Sequence, residues 1–186
     1  LMVDDYIGYK ALFAGNGNNT GCIELACLAH VRRKFFDLYQ ANQSPMAKAA
    51  LEKIADLYDV ETHAKSLGIG QRQLVRQDKA KPLLEDLHTW LQDTLAKTAP
   101  GGASAKALGY ALKRWPALIR YADTGHLPID NNACENTIRP IAIGRKNHLF
   151  VGTERAGKRA AAIQSLLATA KLNGLDPAAW LKKKKK

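Results

Sequence analysis

The sequence predicts a mainly α-helical chain with a few short β-strands, and three observations lead to that class. Apolar residues recur at helical spacing through the middle and the end of the 186 residues. Strand-like patterns are confined to the opening "LMV", the start of "CIELACLAH" and the stretch Leu149 to Val151. Apolar residues make up 46% of the chain, enough for one hydrophobic core and too many for a disordered chain.

In order, "LMV" reads as the end of a buried strand that brings Asp4 and Asp5 to its C-terminal tip. A short helix is expected over Tyr6 to Phe13, ended by the turn-rich "GNGNNT". In "HVRRKFFDLY", Val31, Phe35 and Leu38 share a helix face that excludes Arg32, Arg33 and Lys34. Leu51, Ile54, Leu57 and Tyr58 continue the helical pattern until "SLGIG" breaks it. Leu83, Leu84, Leu87, Trp90, Leu91 and Leu95 form a second amphipathic helix after Pro82, which makes Trp90 core material. "APGGAS" is a linker with Ser104 as the N-cap of a third helix, whose stripe is Leu108, Ala111, Leu112 and Trp115. Pro116 is expected to restart or kink that helix. A last stripe, Ala160, Ile163, Leu166, Leu167 and Ala170, reads as packing; Gly174 caps its helix, and Asp176 with Pro177 opens a short final one.

Lys plus Arg number 28 against 17 Asp plus Glu, a net charge of +11. Five of those charges sit in Lys182 to Lys186, which reads as an appended or aberrant end, and +6 remains on the rest. A basic body favours polyanions, nucleic acid first among them. No apolar run is long enough to span a membrane, and no signal-peptide pattern opens the chain. Three cysteines, Cys22, Cys27 and Cys134, are an odd number that fits reduced thiols in a cytoplasmic protein. The start on "LMVDDY", inside an expected strand, reads as a chain that begins mid-domain.

"IDNNACENTIRP", Ile129 to Pro140, concentrates polar residues that compete with helical backbone. Asp130 suits an N-cap for a helix that runs to Arg139 and stops at Pro140. Asn131, Glu135 and Arg139 are four apart and would share a face; taken alone, this is a capped surface helix with a Glu–Arg pair. Two basic clusters follow, Arg145, Lys146 and His148 in "GRKNHLF", then Arg155, Lys158 and Arg159 in "GTERAGKRAA". A carboxylate helix flanked by cations suits a phosphate-rich ligand, with a metal ion on the carboxylate; the plain alternative is a solvated basic face. Cys27 and His30 are spaced C-x-x-H; with Cys22 and Cys134 they could suggest zinc, but the spacing matches no familiar zinc module.

"DDYIGY", "CLAHVRRKFFDLY", "LPIDNNACENTIRPIAIGRKNHLFVGTERAG" and "AAIQSLLATAKLNGLDPAAWL" together resemble the C-terminal half of the insertion sequence 66 family of bacterial transposases, from Asp4 to Leu181. The resemblance implies a partial ribonuclease H-like catalytic domain of the Asp-Asp-Glu type carrying a helical insertion. The core would comprise residues 1–30 and 124–181, the insertion 31–123, with a lysine tail at 182–186. Asp4 matches the aspartate of the family's D-x-Y-x-G-Y motif, Asp5 stands where glycine is common, and Glu135 matches the glutamate after the paired asparagines. Two Mg²⁺ or Mn²⁺ ions are the implied cofactors, because phosphodiester cleavage and joining need ions that clamp the attacking and leaving oxygens. The nucleophile would be water in cleavage and a DNA 3′-hydroxyl in strand transfer.

The resemblance implies a third carboxylate, an aspartate on an earlier strand upstream of Leu1; Asp37, Asp56 and Asp123, in helical or inter-helical stretches after Asp4, do not match it. Catalysis by this chain alone is therefore not expected. Arg32, Arg33, Lys34, Arg139, Arg145, Lys146, Asn147, Arg155 and Lys158 are the candidate DNA contacts. Cys27, His30, Asp130, Asn131 and Asn132 are the supporting residues. The implied partners are element-end and target DNA, further copies of the transposase and accessory proteins, in a bacterial cytoplasm at the nucleoid. A second reading is a catalytically dead remnant that binds DNA or a partner as a basic helical domain. A plain basic globular domain is the third.

Overall fold

The computed structural model describes residues 1–4, 7–14, 21–144 and 152–183, and it is mainly helical. The expected turn at residues 15–20, the strand at 149–151, and Asp5 and Tyr6 lie outside the described residues. The chain divides into two compact units, Leu1–Asn132 and Ala133–Lys186.

In the first unit, β1 (Met2–Val3) pairs in parallel with β2 (Leu25–Ala26), Met2 opposite Leu25 and Val3 opposite Ala26. A 3₁₀ turn at Ile7–Tyr9 leads into α1 (Lys10–Ala14), so the described part of the expected helix is split in two. α2 (Leu28–Asn42) buries Leu28, Val31, Phe35 and Leu38 as one stripe. It ends where Gln43 turns left-handed at φ 51°, its N–H bonding to the Tyr39 carbonyl. Ser44 then caps α3 (Pro45–Ala64), its Oγ accepting from the Ala47 N–H at 3.3 Å, and Pro45 occupies the first turn, where no N–H is needed.

Three prolines sit inside helical paths instead of breaking them. α4 (Ile69–Val75), which the sequence pattern did not reveal, runs through a π-helical turn (Arg76–Ala80) into α5 (Lys81–Ala96). A proline ring clashes with the carbonyl four residues back. The wide turn just before Pro82, closed by the Lys81 N–H on the Arg76 carbonyl, makes room for it. α6 (Ala103–Leu118) contains Pro116 and tightens afterwards into a 3₁₀ turn, Ile119–Asp123. Its N-cap is Gly102, not Ser104, and it has no side-chain cap bond. α2, α3, α5 and α6 pack in a closed ring, α2 on α3, α3 on α5, α5 on α6 and α6 on α2. Phe35, Ile54, Leu57, Leu87, Leu91 and Leu108 fill its centre. Trp115 is buried and Trp90 half-buried against this core; His88 stacks on Trp115 at 4.8 Å.

One charged group lies at the heart of the unit. Arg76 is 1% exposed, and its Nε and Nη2 bond both oxygens of Glu61 at 2.8 and 2.6 Å. Its Nη1 donates to the carbonyls of Tyr121, Thr124 and Leu127. Arg72, Gln73 and Gln77 hold the carbonyls of Gly125, Asp123 and Ala122. Gly125 is there because nothing larger fits: a Cβ would come within 1.7 Å of the Ile69 carbonyl oxygen.

The second unit contains α7 (Asn132–Gly144, beginning one residue before the division), α8 (Glu154–Leu172) and α9 (Pro177–Lys183). α7 runs through Pro140 to Gly144, where a stop at Arg139 was expected. None of α7 is buried, so water can satisfy the Asn136 carbonyl that the proline leaves without a partner. Thr153 caps α8 by accepting from the Ala156 N–H at 3.2 Å. Gly174, at φ 71°, ends α8: its N–H bonds the Lys171 carbonyl and the Leu175 N–H reaches Ala170. Asp176 accepts from the Ala178 N–H at 2.8 Å to start α9. The expected packing stripe of α8 is mostly uncovered. Ala170 is buried, whereas Ile163 and Leu166 are about half exposed (53% and 51%).

Arg76→Met leaves Glu61 and three carbonyls without their donor. It is expected to lower unfolding stability by about 3–5 kcal/mol, read as a fall in the urea midpoint at unchanged slope. Gly125→Ala forces the Ile69 backbone to move and is expected to cost about 1–3 kcal/mol in the same measurement.

Candidate functional site

Asp4 follows β1 directly and is exposed, as the strand pattern at the chain start requires. A two-residue parallel pair is too short to fix its own tip. α6 does so. Arg114, 6% exposed, bonds the Glu24 carboxylate ahead of β2 at 2.5 Å and the Val3 carbonyl at 3.4 Å. One turn earlier, the Tyr110 hydroxyl donates to the Asp4 carbonyl at 3.4 Å. Arg120, beyond α6, donates to the Glu24 carbonyl.

α6 also packs against α2, which carries three consecutive cations. Arg32, Arg33 and Lys34 are all exposed, between the buried Val31 and Phe35. Lys34 places its Nζ 4.3 Å from the centre of the Tyr110 ring, and Arg32 lies over Phe36 at 5.9 Å. Tyr110 thus touches both the backbone of Asp4 and the Lys34 ammonium.

Within the first unit, several groups also converge on residues 129–132, beside Cys27, which follows β2 as Asp4 follows β1. The Leu28 N–H, an unpaired donor of the α2 N-terminus, bonds the Ile129 carbonyl at 3.1 Å. The buried Cys27 thiol donates to Asn131 Oδ1 at 2.9 Å, and the Asn131 N–H returns a bond to Cys27 Sγ at 3.4 Å. The Tyr58 hydroxyl donates to Asp130 Oδ2 at 2.8 Å. Asp130 also accepts from the Asn132 N–H at 3.0 Å and the Asn132 side-chain amide at 2.8 Å, so it caps α7 from two residues ahead. Asn131 precedes α7 and is engaged by Cys27, which leaves Glu135 and Arg139 as the i,i+4 pair of positions on that helix. Glu135 sits in the first turn of α7, where the helix dipole favours a negative charge.

Burial, chiefly, raises the Cys27 thiol above its ordinary range. Burial first and the bond to Asp130 second raise the Tyr58 phenol. Both remain protonated donors near neutral pH. His30 is half-buried in the first turn of α2. Arg139 is exposed on α7; Arg155 and Lys158 are exposed on α8, where Lys158 pairs with Glu154 at 2.7 Å. Arg145, Lys146, Asn147 and His148 lie outside the described residues. Asp4 and Glu135 are hard oxygen donors of the kind Mg²⁺ takes. Among the described residues no group of three or more His, Cys, Asp or Glu stands together as a metal site.

Tyr58, Glu61, Arg76, Tyr110 and Arg114 escaped the sequence reading. Tyr58 sits in an apolar stripe and looks like core, while a buried arginine gives no signal until its partners are known.

The fold is that of a mainly α-helical protein with an exposed aspartate at the end of a short strand and exposed cations on α2. The family model described as "Transposase IS66 family" matches residues 1–159, and the chain belongs to that family. Its relatives include three uncharacterized proteins of Sinorhizobium fredii (strain NBRC 101917 / NGR234). These are y4jD at 37% identity, y4qI at 36% and y4hP at 32%, each matched over 97% of this chain. The chain spans about a third of the length of these curated relatives (36%, 34% and 35%). No solved structure matches it. Among the described residues, no helix is long and apolar enough to cross a membrane.

Thiol chemistry checks the Cys27 environment. Cys22 and Cys134 are exposed and are expected to alkylate rapidly at pH 8, with Cys27 labelled only after denaturant is added. Because burial raises its pKa, residual Cys27 labelling should accelerate only above the ordinary value of 9.0. Peptide mapping by mass spectrometry reads all three sites.

Proposed function

We propose that this chain is the C-terminal part of a metal-dependent transposase of the Asp-Asp-Glu type, which cuts and joins phosphodiester bonds at element ends. The observation that carries the reading is the family match over residues 1–159, which spans both carboxylates, Asp4 and Glu135. Residues 1–30 and 124–181 would belong to a ribonuclease H-like core, and 31–123 to a helical insertion within it.

Asp4 and Glu135 would hold divalent metal, with one further carboxylate from outside the described residues completing the set. Bound Mg²⁺ or Mn²⁺ supplies Lewis acidity to the attacking and leaving oxygens. The chain's own residues bind and orient. Arg114 and Tyr110 fix the backbone at Val3 and Asp4. Arg32, Arg33 and Lys34, exposed on α2, offer cations to phosphates. Arg139, Arg155 and Lys158 offer further phosphate contacts on α7 and α8, and Arg145, Lys146 and Asn147 lie between them in sequence. DNA is the partner this chemistry fits. Further copies of the transposase and accessory proteins belong to the same reading, with the bacterial nucleoid as its place of action.

A second reading, a remnant that binds DNA or a partner without cutting DNA, draws on the basic charge of this mainly helical chain. It predicts binding that weakens steeply with salt and ignores divalent metal.

In the complete transposase, Glu135→Gln is expected to slow cleavage and strand transfer by on the order of a thousandfold while sparing DNA binding. Gel-shift and end-cleavage assays on the same preparation separate the two. Full activity in that variant would remove Glu135 from the site.

A further inference from the structure

Between Asp93 and Asp123 the chain has no carboxylate side chain, yet it carries five cations, Lys97, Lys106, Lys113, Arg114 and Arg120. Two of these are engaged inside the first unit. Arg114 is buried on the Glu24 carboxylate, and Arg120 donates to the Glu24 carbonyl. Lys106 and Lys113 are different. Both are exposed on α6, while Ala107, Leu108, Ala111 and Trp115 of the same helix are buried. Tyr110 lies four residues after Lys106 and three before Lys113, so the three side chains share one face. The Tyr110 ring also meets Lys34 of α2, whose ammonium is 4.3 Å from its centre. Lys34 therefore joins the lysine face of α6 at Tyr110.

We propose that this face of α6, joined by Lys34, is a DNA-backbone surface on which Lys34, Lys106 and Lys113 each hold a phosphate. The proposal rests on DNA being the partner, as argued above, and extends its contacts to a helix that contributes none of those named so far. Charge pairing is the first argument. Among the described residues neither Lys34 nor Lys106 has an ion-pair partner, whereas Lys48 and Lys158 each face a glutamate four residues away. A solvated face that served stability would mix its signs, because Glu–Lys pairs at that spacing support a helix and unpaired lysines do not. Spacing is the second. Lys106 and Lys113 stand seven positions apart. That is about 10.5 Å along the helix axis, or about three phosphate steps of about 3.4 Å on one strand. A small anion cannot span that row, and a phosphate polymer can. Residue type is the third. Lysine offers a point charge without the planar fork of arginine, which suits phosphate oxygens and reads no base edge.

The test is a salt titration of DNA binding by the complete transposase carrying this sequence, without divalent metal. An element-end duplex and a scrambled duplex of equal length are the probes. Lys34→Gln, Lys106→Gln and Lys113→Gln are each expected to weaken binding about five- to tenfold at about 0.1 M NaCl, and to lower the slope of log affinity against log salt by about 0.9. Both duplexes should lose alike, because phosphate contacts carry no sequence information. Lys106→Arg is expected to restore affinity and slope. Lys48→Gln removes the same charge from a lysine that Glu52 already faces, and should leave the slope unchanged. Unchanged slopes in the Lys106 and Lys113 variants overturn the proposal. So does an equal loss in Lys48→Gln, which makes the effect one of net charge. Loss of binding to phosphatidylserine vesicles with DNA affinity intact overturns it too, and assigns the face to a membrane surface. If Lys113→Gln does not fold, the exposed Lys106 decides. The functional reading fails separately. Retained cleavage in Glu135→Gln overturns that reading and leaves the salt slopes untouched, whereas an unmodified transposase that binds neither duplex overturns both.

Discussion

The guanidinium of Arg76, buried between α3 and the chain that leaves α6, is the constraint on which the first unit depends. A charge at 1% exposure is tolerated only when paired and fully hydrogen-bonded, and Arg76 meets both conditions. Glu61 takes one edge of the fork, and three backbone carbonyls take the remaining nitrogen. Those carbonyls belong to residues 121–127, which lead out of the 3₁₀ turn and, past Asp123, have no helix or strand of their own. Without a ladder, that backbone needs side chains to satisfy it. Arg72, Gln73 and Gln77 supply the rest from the same helical path, and Gly125 allows the close approach that their reach requires.

What this clamp holds still is the run-up to α7. Glu61 and Tyr58 lie three residues apart on α3, on neighbouring positions of one face. Glu61 braces Arg76 under residues 121–127, and Tyr58 takes Asp130 a few residues further on. The irregular segment is therefore supported at both ends from a single helix. A loop fixed in this way behaves as part of the rigid scaffold.

α6 also supports the beginning of the chain. Arg114 and Tyr110 reach Val3 and Asp4 from α6, and Arg114 joins Glu24 to the same point. Two-residue strands contribute few ladder bonds, so their position is borrowed from the helix packed against them. The second unit is supported differently. Its helices are set by local chemistry, the Thr153 cap, the Gly174 turn and the Asp176 cap, with very little burial behind them.

The sequence by itself determined whatever depends on neighbours close along the chain. The helical stripes of α2, α3, α5 and α6, the strand ending at Asp4, the cap at Asp176 and the glycine turn at Gly174 all follow from spacing and residue type. So did the family, because its motifs are contiguous strings. The tertiary structure decided what depends on distant partners. Pro82, Pro116 and Pro140 look like breaks, yet a π turn, a tightened helix end and an exposed carbonyl absorb them. Tyr58 reads as core until Asp130, 72 residues later, comes within reach of its hydroxyl, and Cys27 reads as an isolated thiol until Asn131 arrives from 104 residues away. The α8 stripe reads as buried, but burial needs a covering surface, and periodicity records only which face would accept one.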